Sequence, residues 1–263
     1  MNATNLATAF VATCREVFGD RLEAIIQHGS SVKGGEIPGY SDIDFQIYLT
    51  SDCFDADAHL QDELCFSFQD AFALLPWSET GFSYGQVYFY DRHRLPAWWT
   101  GPAPNTYREL LGKLPDEAKP STEDFRRSSV RALKELPKYV GADVTNFADT
   151  TTDQLPRRLR LLGTTLTPIV FALIAYDADD ALAIWSRSKF EALEMLEARY
   201  RDMEGPPFAR QFYEEIGALF GGKFEAERAR HAFKTGVRFL RWAEAIGKTL
   251  PDTDVSPTSG RRR

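Results

Sequence analysis

The segment from Ser41 to Leu49 constrains the fold of this chain more than any other, because polar and apolar residues alternate along it. In an extended strand, successive side chains point to opposite faces of the sheet. Asp42 and Asp44 therefore project together from one face. The other face carries the apolar residues of the segment: Ile43, Phe45, Ile47 and Leu49. The alternation predicts a strand over residues 42–49 that is buried on one side and carries two carboxylates on the other.

Two neighbouring carboxylates form a hard, anionic oxygen site. Asp42 and Asp44 repel each other unless a cation lies between them. Mg²⁺ is bound in proteins by one or two carboxylates together with the phosphate oxygens of a substrate. The same pair is also common on a solvated strand face, and taken alone it does not decide between these interpretations.

A glycine-serine turn precedes the carboxylates in the sequence. Gly29 permits close approach of the backbone, and the amides and hydroxyls of Ser30 and Ser31 suit phosphate oxygens at the start of a helix. Gly-Ser by itself is a common turn. The ordered combination of this turn with two carboxylates on a half-buried strand favours a site for a metal ion and a nucleotide.

Length and composition indicate a globular protein from a reducing compartment. The chain has 263 residues, of which 43% are apolar, enough for two domains with a substantial core. Its cysteines, Cys14, Cys53 and Cys65, form no Cys-x-x-Cys unit, and no zinc pattern is present. The N-terminus lacks a leader sequence, and the longest apolar run, residues 169–175, is too short to span a bilayer. We therefore expect a cytoplasmic protein that does not contact a membrane.

The charge is unevenly distributed between the two halves of the chain. The formal net charge is −7, made up of −9 over residues 1–120 and +2 over residues 121–263. The first half is thus suited to carry a metal ion, and the second half could supply cations to a polyphosphate. Nucleic acid is not expected as the main ligand, since the sequence shows no basic stripe with interleaved aromatic residues.

Periodicity divides the chain into a mixed part and a helical part. The first part predicts a helix over 5–18, strands over 22–27, 42–49 and 85–90, and a helix over 59–75. This order fits an α+β domain, a small mixed sheet covered by helices on one face and open for a ligand on the other. A segment rich in proline and tryptophan, 96–120, is interpreted as a hinge.

Beyond the hinge all patterns are helical. Helices are predicted over 121–139, 154–176, 178–184, 188–202, 206–220 and 224–247. We therefore predict domains over 1–120 and 121–250, the second an all-α bundle, and a disordered tail over 251–263.

The motif around the aspartates resembles that of a known family. The chain is similar to the nucleotidyltransferase superfamily that shares the palm of DNA polymerase β, and most similar to the aminoglycoside adenylyltransferases that modify streptomycin and spectinomycin. The similarity is specific over residues 29–44 and loose over most of the remaining chain. The matching features are the pairs Gly29-Ser30 and Gly34-Gly35, then Pro38, and the run Tyr40-Ser41-Asp42-Ile43-Asp44, with one added residue before the tyrosine.

The resemblance implies a site in which ATP and an acceptor bind between the two domains. Gly29 and Ser30 would hold the distal phosphates, and Asp42 and Asp44 would hold Mg²⁺. Lys189, in a segment similar to the lysine-bearing helix start of the family, would reach the triphosphate. The alternative interpretation is a solvated lysine at a helix start, where a cation is mildly unfavourable against the helix dipole.

One position departs from the family pattern. The third acidic residue of the family falls on Gln86 here, and a glutamine cannot act as a base near neutral pH, although its carbonyl is a weak metal ligand. Asp91 is a nearby acid, but regular alternation places it on the opposite face of the strand. Glu79, in the preceding loop, is a second candidate.

The resemblance implies transfer of AMP from Mg-ATP to a hydroxyl of a small molecule, with an aminoglycoside-like acceptor among the options. Loss of a base alone slows such chemistry about 10²–10⁴-fold and leaves an activity. Two alternatives stay open: a nucleotide-binding regulator or pseudoenzyme, and AMP transfer to a protein or tRNA partner. Side chains considered for the acceptor or phosphate are Trp98, Trp99, Tyr107, Arg157, Arg160 and acidic residues of the second half such as Asp177, Glu191 and Glu215.

Overall fold

The chain divides into two compact units, Met1–Lys119 and Pro120–Arg263. The structure is a computed structural model that describes residues 3–96, 99, 101–114 and 119–251. The tail predicted over 251–263 lies outside the described residues from position 252 onward. That the two units are separate domains stays a prediction.

The first unit contains a mixed sheet and helices, and the predicted α+β class is confirmed. Its elements are α1 (Ala3–Phe18), β1 (Leu22–His28), α2 (Ser30–Lys33), β2 (Ile43–Leu49), α3 (Asp62–Ala73), β3 (Gly85–Asp91) and β4 (Tyr107–Leu111). The strands lie in the order β3-β2-β1-β4. Strand β1 is antiparallel to both β2 and β4, whereas β2 and β3 are parallel.

One face of this sheet packs against helices. Ile43, Phe45 and Ile47 of β2 are buried in a cluster that also contains residues of α1 and α3. The ring of Phe10 in α1 stacks on that of Phe45, with 3.9 Å between their centroids, and Phe68 of α3 meets Phe10 edge to face. The apolar half of the predicted alternation therefore forms the main core of this unit.

The other face of the sheet is polar toward its Asp44 end and covered farther along β2. Tyr48, Ala24 and Ile26 are buried there beneath Trp99, among other residues of the segment after β3. The rings of Tyr48 and Trp99 lie 6.3 Å apart, edge to face. The open surface expected from the sequence is thus confined to one end of this face.

Strand β4 corrects the interpretation of 96–120 as a hinge. Tyr107–Leu111 pairs with β1 and belongs to the sheet of the first unit. The flanking prolines obscured this short strand, because proline is normally a signal for turns and loops. In the second unit the first helix continues through Pro137 to Phe147, beyond its predicted end at residue 139.

The second unit is helical throughout the residues that the structure describes. Its longer elements are α4 (Thr122–Phe147), α5 (Leu155–Ala175), α6 (Ala181–Trp185), α7 (Lys189–Arg199), α8 (Gly205–Gly221) and α9 (Ala226–Gly247). Helix α5 forms much of its core, with most of its second half buried. The stretch Thr152–Ala175 is long and apolar enough to cross a membrane by length and composition, but most of it is buried inside this unit, as in the core helix of a globular protein.

Candidate functional site

Four side chains line up across the sheet at the end of β1. His28 pairs with Asp44 of β2 and with Tyr107 of β4, and Asp44 pairs in turn with Gln86 of β3. Residues in direct register on neighbouring strands lie on the same face of a sheet. The row from Tyr107 to Gln86 therefore lies on the face opposite the helices, and it contains two predicted site residues, Asp44 and Gln86.

Both predicted metal ligands lie near one tyrosine of this face. Asp42 immediately precedes β2 and is half-buried, as is Asp44. Burial is the largest cause of a raised pKa for the Tyr88 hydroxyl, and the negative charges of Asp44 and Asp42 raise that pKa further. The two carboxylates therefore act on the same small region, as alternation along the strand requires.

Gly29 lies directly against the Asp44 carboxylate. It has φ = +75°, and a Cβ added at this position would overlap the Oδ2 atom of Asp44. Both the left-handed backbone and the lack of space require glycine here. The turn that follows β1 thus brings its backbone next to a predicted metal ligand, which is the arrangement needed to present phosphate oxygens to a cation.

The two serines after Gly29 differ in how their hydroxyls are used. The Ser31 hydroxyl donates to the His28 carbonyl oxygen at 3.0 Å and accepts from the Gln27 amide at 3.0 Å. It is therefore already engaged in holding the turn. The Ser30 hydroxyl makes no hydrogen bond within the described ranges of the chain, which leaves Ser30 as the better candidate for phosphate.

His28 is a site residue that the sequence analysis missed. Its Nε2 atom is buried and has no hydrogen-bond partner among the described residues. Burial, assisted by the positive charge of Lys33, lowers its pKa to about 4, so the imidazole is neutral at pH 7. Its ring lies 6.0 Å from that of Tyr88. Only the strand register reveals this placement, and the register is not readable from the sequence alone.

Gln86 occupies the position next to Asp44 that the resemblance assigns to a third acid. Its Nε2 atom donates to the Tyr88 hydroxyl oxygen at 2.6 Å. An amide is neutral and cannot take up a proton near pH 7. The side chain can therefore orient a neighbouring hydroxyl but cannot serve as the base.

Asp91 is unsuited to replace the missing acid. It is 4% exposed and accepts hydrogen bonds from Ser51, Arg94 and the backbone of His93. Burial by itself would raise its pKa, but these hydrogen bonds lower the pKa below its ordinary value. Glu79 is exposed on the helical turn Trp77–Glu79 before β3, and its participation stays a prediction.

The donor set suits a cation shared with a substrate. Among the described residues, no group of three or more His, Cys, Asp and Glu side chains is arranged to hold a metal ion. Mg²⁺ does not need such a cage, because it is typically bound by one or two carboxylates while phosphate oxygens and water fill the remaining positions. Asp42 and Asp44, backed by the Gly29 turn, fit this mode.

Lys189 lies in the second unit as the first residue of α7. The preceding residue, Ser188, caps the helix through a reciprocal pair of hydrogen bonds with Glu191. Lys189 is only 8% exposed, and its Nζ atom lies 5.5 Å from the centroid of the Tyr213 ring. The alternative of a solvated lysine is therefore wrong, since lysine is rarely buried without a specific role. Its contact with the triphosphate stays a prediction.

Several acidic residues considered for the acceptor are engaged locally. Asp177 pairs with Arg199 at 2.7 Å, Glu215 pairs with Arg228, and Glu191 caps α7. Of the remaining candidates, Arg157 is exposed and Arg160 lies over the Phe220 ring, 5.1 Å from its centroid. Trp98 lies outside the described residues.

Comparisons with known proteins add little to this geometry. No protein-family model and no curated protein matches the chain. Among solved structures, the chain is similar to the crystal structure of spectinomycin adenyltransferase AAD(9) from Enterococcus faecialis with ATP and spectinomycin. The two sequences are 12% identical, and the alignment covers 90% of this chain and 99% of that chain. The TM-score is 0.43. At this identity and TM-score, the likeness decides neither the fold nor the activity of this chain.

Proposed function

We propose that this protein is a nucleotidyltransferase that moves AMP from ATP to a hydroxyl of a small molecule, in the presence of Mg²⁺. One observation carries the proposal: the left-handed Gly29 turn lies against the carboxylate of Asp44, and Asp42 lies two residues before Asp44 in the chain. A turn for phosphate and a pair of hard oxygen ligands are thereby combined in one place.

The chain's own residues then have distinct tasks. Asp42 and Asp44 would hold Mg²⁺, while the Ser30 hydroxyl and the backbone after Gly29 would hold phosphate oxygens. When bound, Mg²⁺ neutralises charge on the phosphates and helps to orient them. Positioning and charge neutralisation supply most of the acceleration in phosphoryl transfer, so the site does not depend on a strong protein base.

The reaction can be written with Gln86 as a neutral neighbour. A lone pair of the acceptor hydroxyl forms a bond to the α-phosphorus of ATP, and the bond from that phosphorus to the oxygen bridging to the β-phosphate breaks. The electron pair leaves with pyrophosphate, and the hydroxyl proton passes to solvent water. Gln86 is placed to orient the attacking hydroxyl through its amide, without taking the proton.

The proposal is tested by turnover of the full chain with ATP and Mg²⁺ over a panel of hydroxyl compounds. We expect pyrophosphate release that depends on the acceptor and an acceptor mass increased by AMP. Asp44→Asn should strongly reduce the release, while Asp70→Asn, which removes a carboxylate from the exposed surface of α3, should leave it unchanged. Release that is equal in the native protein and in Asp44→Asn would contradict the proposal.

A nucleotide-binding regulator is the second candidate, because Gln86 stands where a base would be expected. It predicts that Mg-ATP binds and that no acceptor, small or macromolecular, is turned over. Restoration of turnover by Gln86→Glu would identify position 86 as the base position of a weakened enzyme. Intact-mass measurement of proteins and tRNA after incubation tests the remaining alternative of macromolecular transfer.

The cellular location belongs to the same proposal. Cys14 and Cys53 are buried free thiols and Cys65 is an exposed one. Thiols that persist in this state are typical of a reducing compartment. We propose a cytoplasmic location, which fractionation of the source cells would test.

A further inference from the structure

Three tyrosines lie on the edge strand β3 or immediately before it, beside the site. Tyr84 precedes the strand, and Tyr88 and Tyr90 belong to it. We define these three residues, together with Gln86 between them, as the tyrosine strip. Tyr84 and Tyr88 are 38% and 37% exposed. The Tyr90 ring stacks on that of Tyr48, its partner on β2, with 5.5 Å between the centroids, and is held in place by this contact. The strip offers aromatic surface to solvent next to Asp44, with which Gln86 is in register.

The strip is electrically neutral. Tyrosine and glutamine side chains carry no charge at pH 7, and the Tyr88 hydroxyl accepts a hydrogen bond from the Gln86 amide. The strip therefore presents uncharged hydrogen-bonding groups and rings beside Asp44.

Few strand residues on this face carry a charge. Among the described strand residues it presents, the charged side chains are Asp44 and, at the opposite edge, Glu109 of β4. Glu109 accepts a hydrogen bond from the Leu114 backbone at 3.3 Å. The strip itself therefore contributes no carboxylate that could pair with a cationic acceptor.

We infer that the acceptor is an uncharged, hydroxyl-rich ring compound of the sugar or cyclic polyol class, which lies on the tyrosine strip with its attacking hydroxyl toward Gln86. This inference rests on the proposed function and specifies the chemical class of its acceptor. Aromatic rings offer apolar surface to the C–H face of such a ring, while the Gln86 amide and the Tyr88 phenol can hydrogen-bond its hydroxyls. The strip itself offers no carboxylate to replace the water that the ammonium groups of an aminoglycoside would lose on it.

The acceptor class is tested by turnover with three matched sets of compounds: neutral hexoses and inositols, aminoglycosides, and sugar phosphates. We expect the native protein to prefer the neutral set. Gln86→Glu should move the ratio of kcat/KM values toward aminoglycosides by about tenfold or more, since a charged group near a site concentrates oppositely charged ligands. Gln69→Glu adds the same charge on the exposed surface of α3 and should leave the ratio unchanged.

Preference of the native protein for aminoglycosides or for sugar phosphates would overturn the inference, and so would a complete lack of turnover with the neutral set. Binding of Mg-ATP, measured separately by calorimetry, distinguishes these outcomes from failure of the proposed function. If ATP binds and aminoglycosides are adenylylated, the proposed function holds and only the acceptor class is wrong.

A second variant distinguishes the acceptor from the adenine base as the occupant of the strip. Tyr88→Leu removes the ring from the exposed part of the strip and retains an apolar side chain. We expect the KM for the neutral acceptor to rise about tenfold or more, as loss of a stacking ring does elsewhere, while the KM for ATP stays unchanged. A rise confined to the KM for ATP would show that the strip binds the base and would overturn the inference.

Discussion

The two faces of the four-stranded sheet are built from the same strands and have opposite properties. On β2, Ile43, Phe45 and Ile47 enter the helix-covered core, whereas Asp44 faces the polar side together with His28 and Gln86 of the neighbouring strands. A shift of one residue in register would exchange the two sets. The packing of the apolar face therefore fixes the positions of the carboxylates on the other face.

This difference separates stability from function at neighbouring positions in the sequence. Loss of an apolar side chain from the core face removes buried contacts and destabilises the fold, while replacement of a carboxylate on the polar face by its amide retains the volume of the side chain and leaves the core intact. Along β2, substitutions on the core face should thus change stability, and substitutions on the polar face should change activity.

The largest expected effect is a loss of activity caused by substitutions on the polar face. Asp42→Asn together with Asp44→Asn should lower kcat for pyrophosphate release by about 10³-fold or more, because several kcal/mol of charge stabilisation is lost with the cation. The thermal midpoint should change little, because asparagine retains the volume of aspartate. A midpoint that falls strongly would show that the aspartates stabilise the fold, which breaks the contrast between the faces.

The core face gives the next largest effect, on stability. Phe45→Ala should lower the free energy of unfolding by about 3–5 kcal/mol, because Phe45 is fully buried and stacks on Phe10. Urea denaturation measures this loss, and kcat per folded molecule should change little. Phe45→Leu, which retains most of the volume, is the control and should cost much less. Equal costs for the two variants would show that this core is loosely packed.

Gly29 lies where the turn meets the polar face, and Gly81 provides a matched control. Both residues have positive φ, +75° and +79°, but a Cβ at Gly29 would meet Asp44 whereas one at Gly81 would meet nothing within 4 Å. Alanine at either position should cost about 1–2 kcal/mol of backbone strain. Only Gly29→Ala should also weaken Mg-ATP binding, as measured by calorimetry. Equal binding of Mg-ATP by the two variants would show that the Gly29 turn does not belong to the binding site.

A further prediction is a pH dependence of stability that comes from His28. Its folded-state pKa of about 4 lies below the ordinary value of 6.5, so the unfolded chain binds one more proton between these pH values. Stability should be complete above pH 6.5 and fall by about 1.4 kcal/mol per pH unit as the pH drops toward 4. Denaturation of His28→Gln should lack this slope, while His59→Gln, at an exposed position, should keep it. An unchanged slope in His28→Gln would show that His28 titrates normally.

The sequence was sufficient to predict what depends on local periodicity. Strand β2, with Asp44 on the face away from the core, follows from alternation, and the sharp turn at Gly29 follows from its glycine. The helices of the second unit follow from apolar spacing, except that α4 continues through Pro137 because Leu136 and Val140 are buried on either side of it. A single lost hydrogen bond in a long helix can be offset by such packing.

What depends on long-range pairing could not be predicted. The strand Tyr107–Leu111 is too short to stand out among prolines, and only its pairing with β1 makes it a strand. The place of His28 beside Asp44 depends on the same register, and the engagement of the Ser31 hydroxyl depends on the local geometry of the turn. Contacts of this kind are set by tertiary structure, which leaves no local periodic signal.

The most direct test of the account is the binding of ATP to the full chain in the presence of Mg²⁺, measured by isothermal titration calorimetry. ATP should bind, EDTA should abolish the binding, and a variant with Asp42→Ala and Asp44→Ala should not bind although it remains folded by circular dichroism. Binding of equal affinity to the native protein and to this variant, or no binding to the native protein, would contradict it.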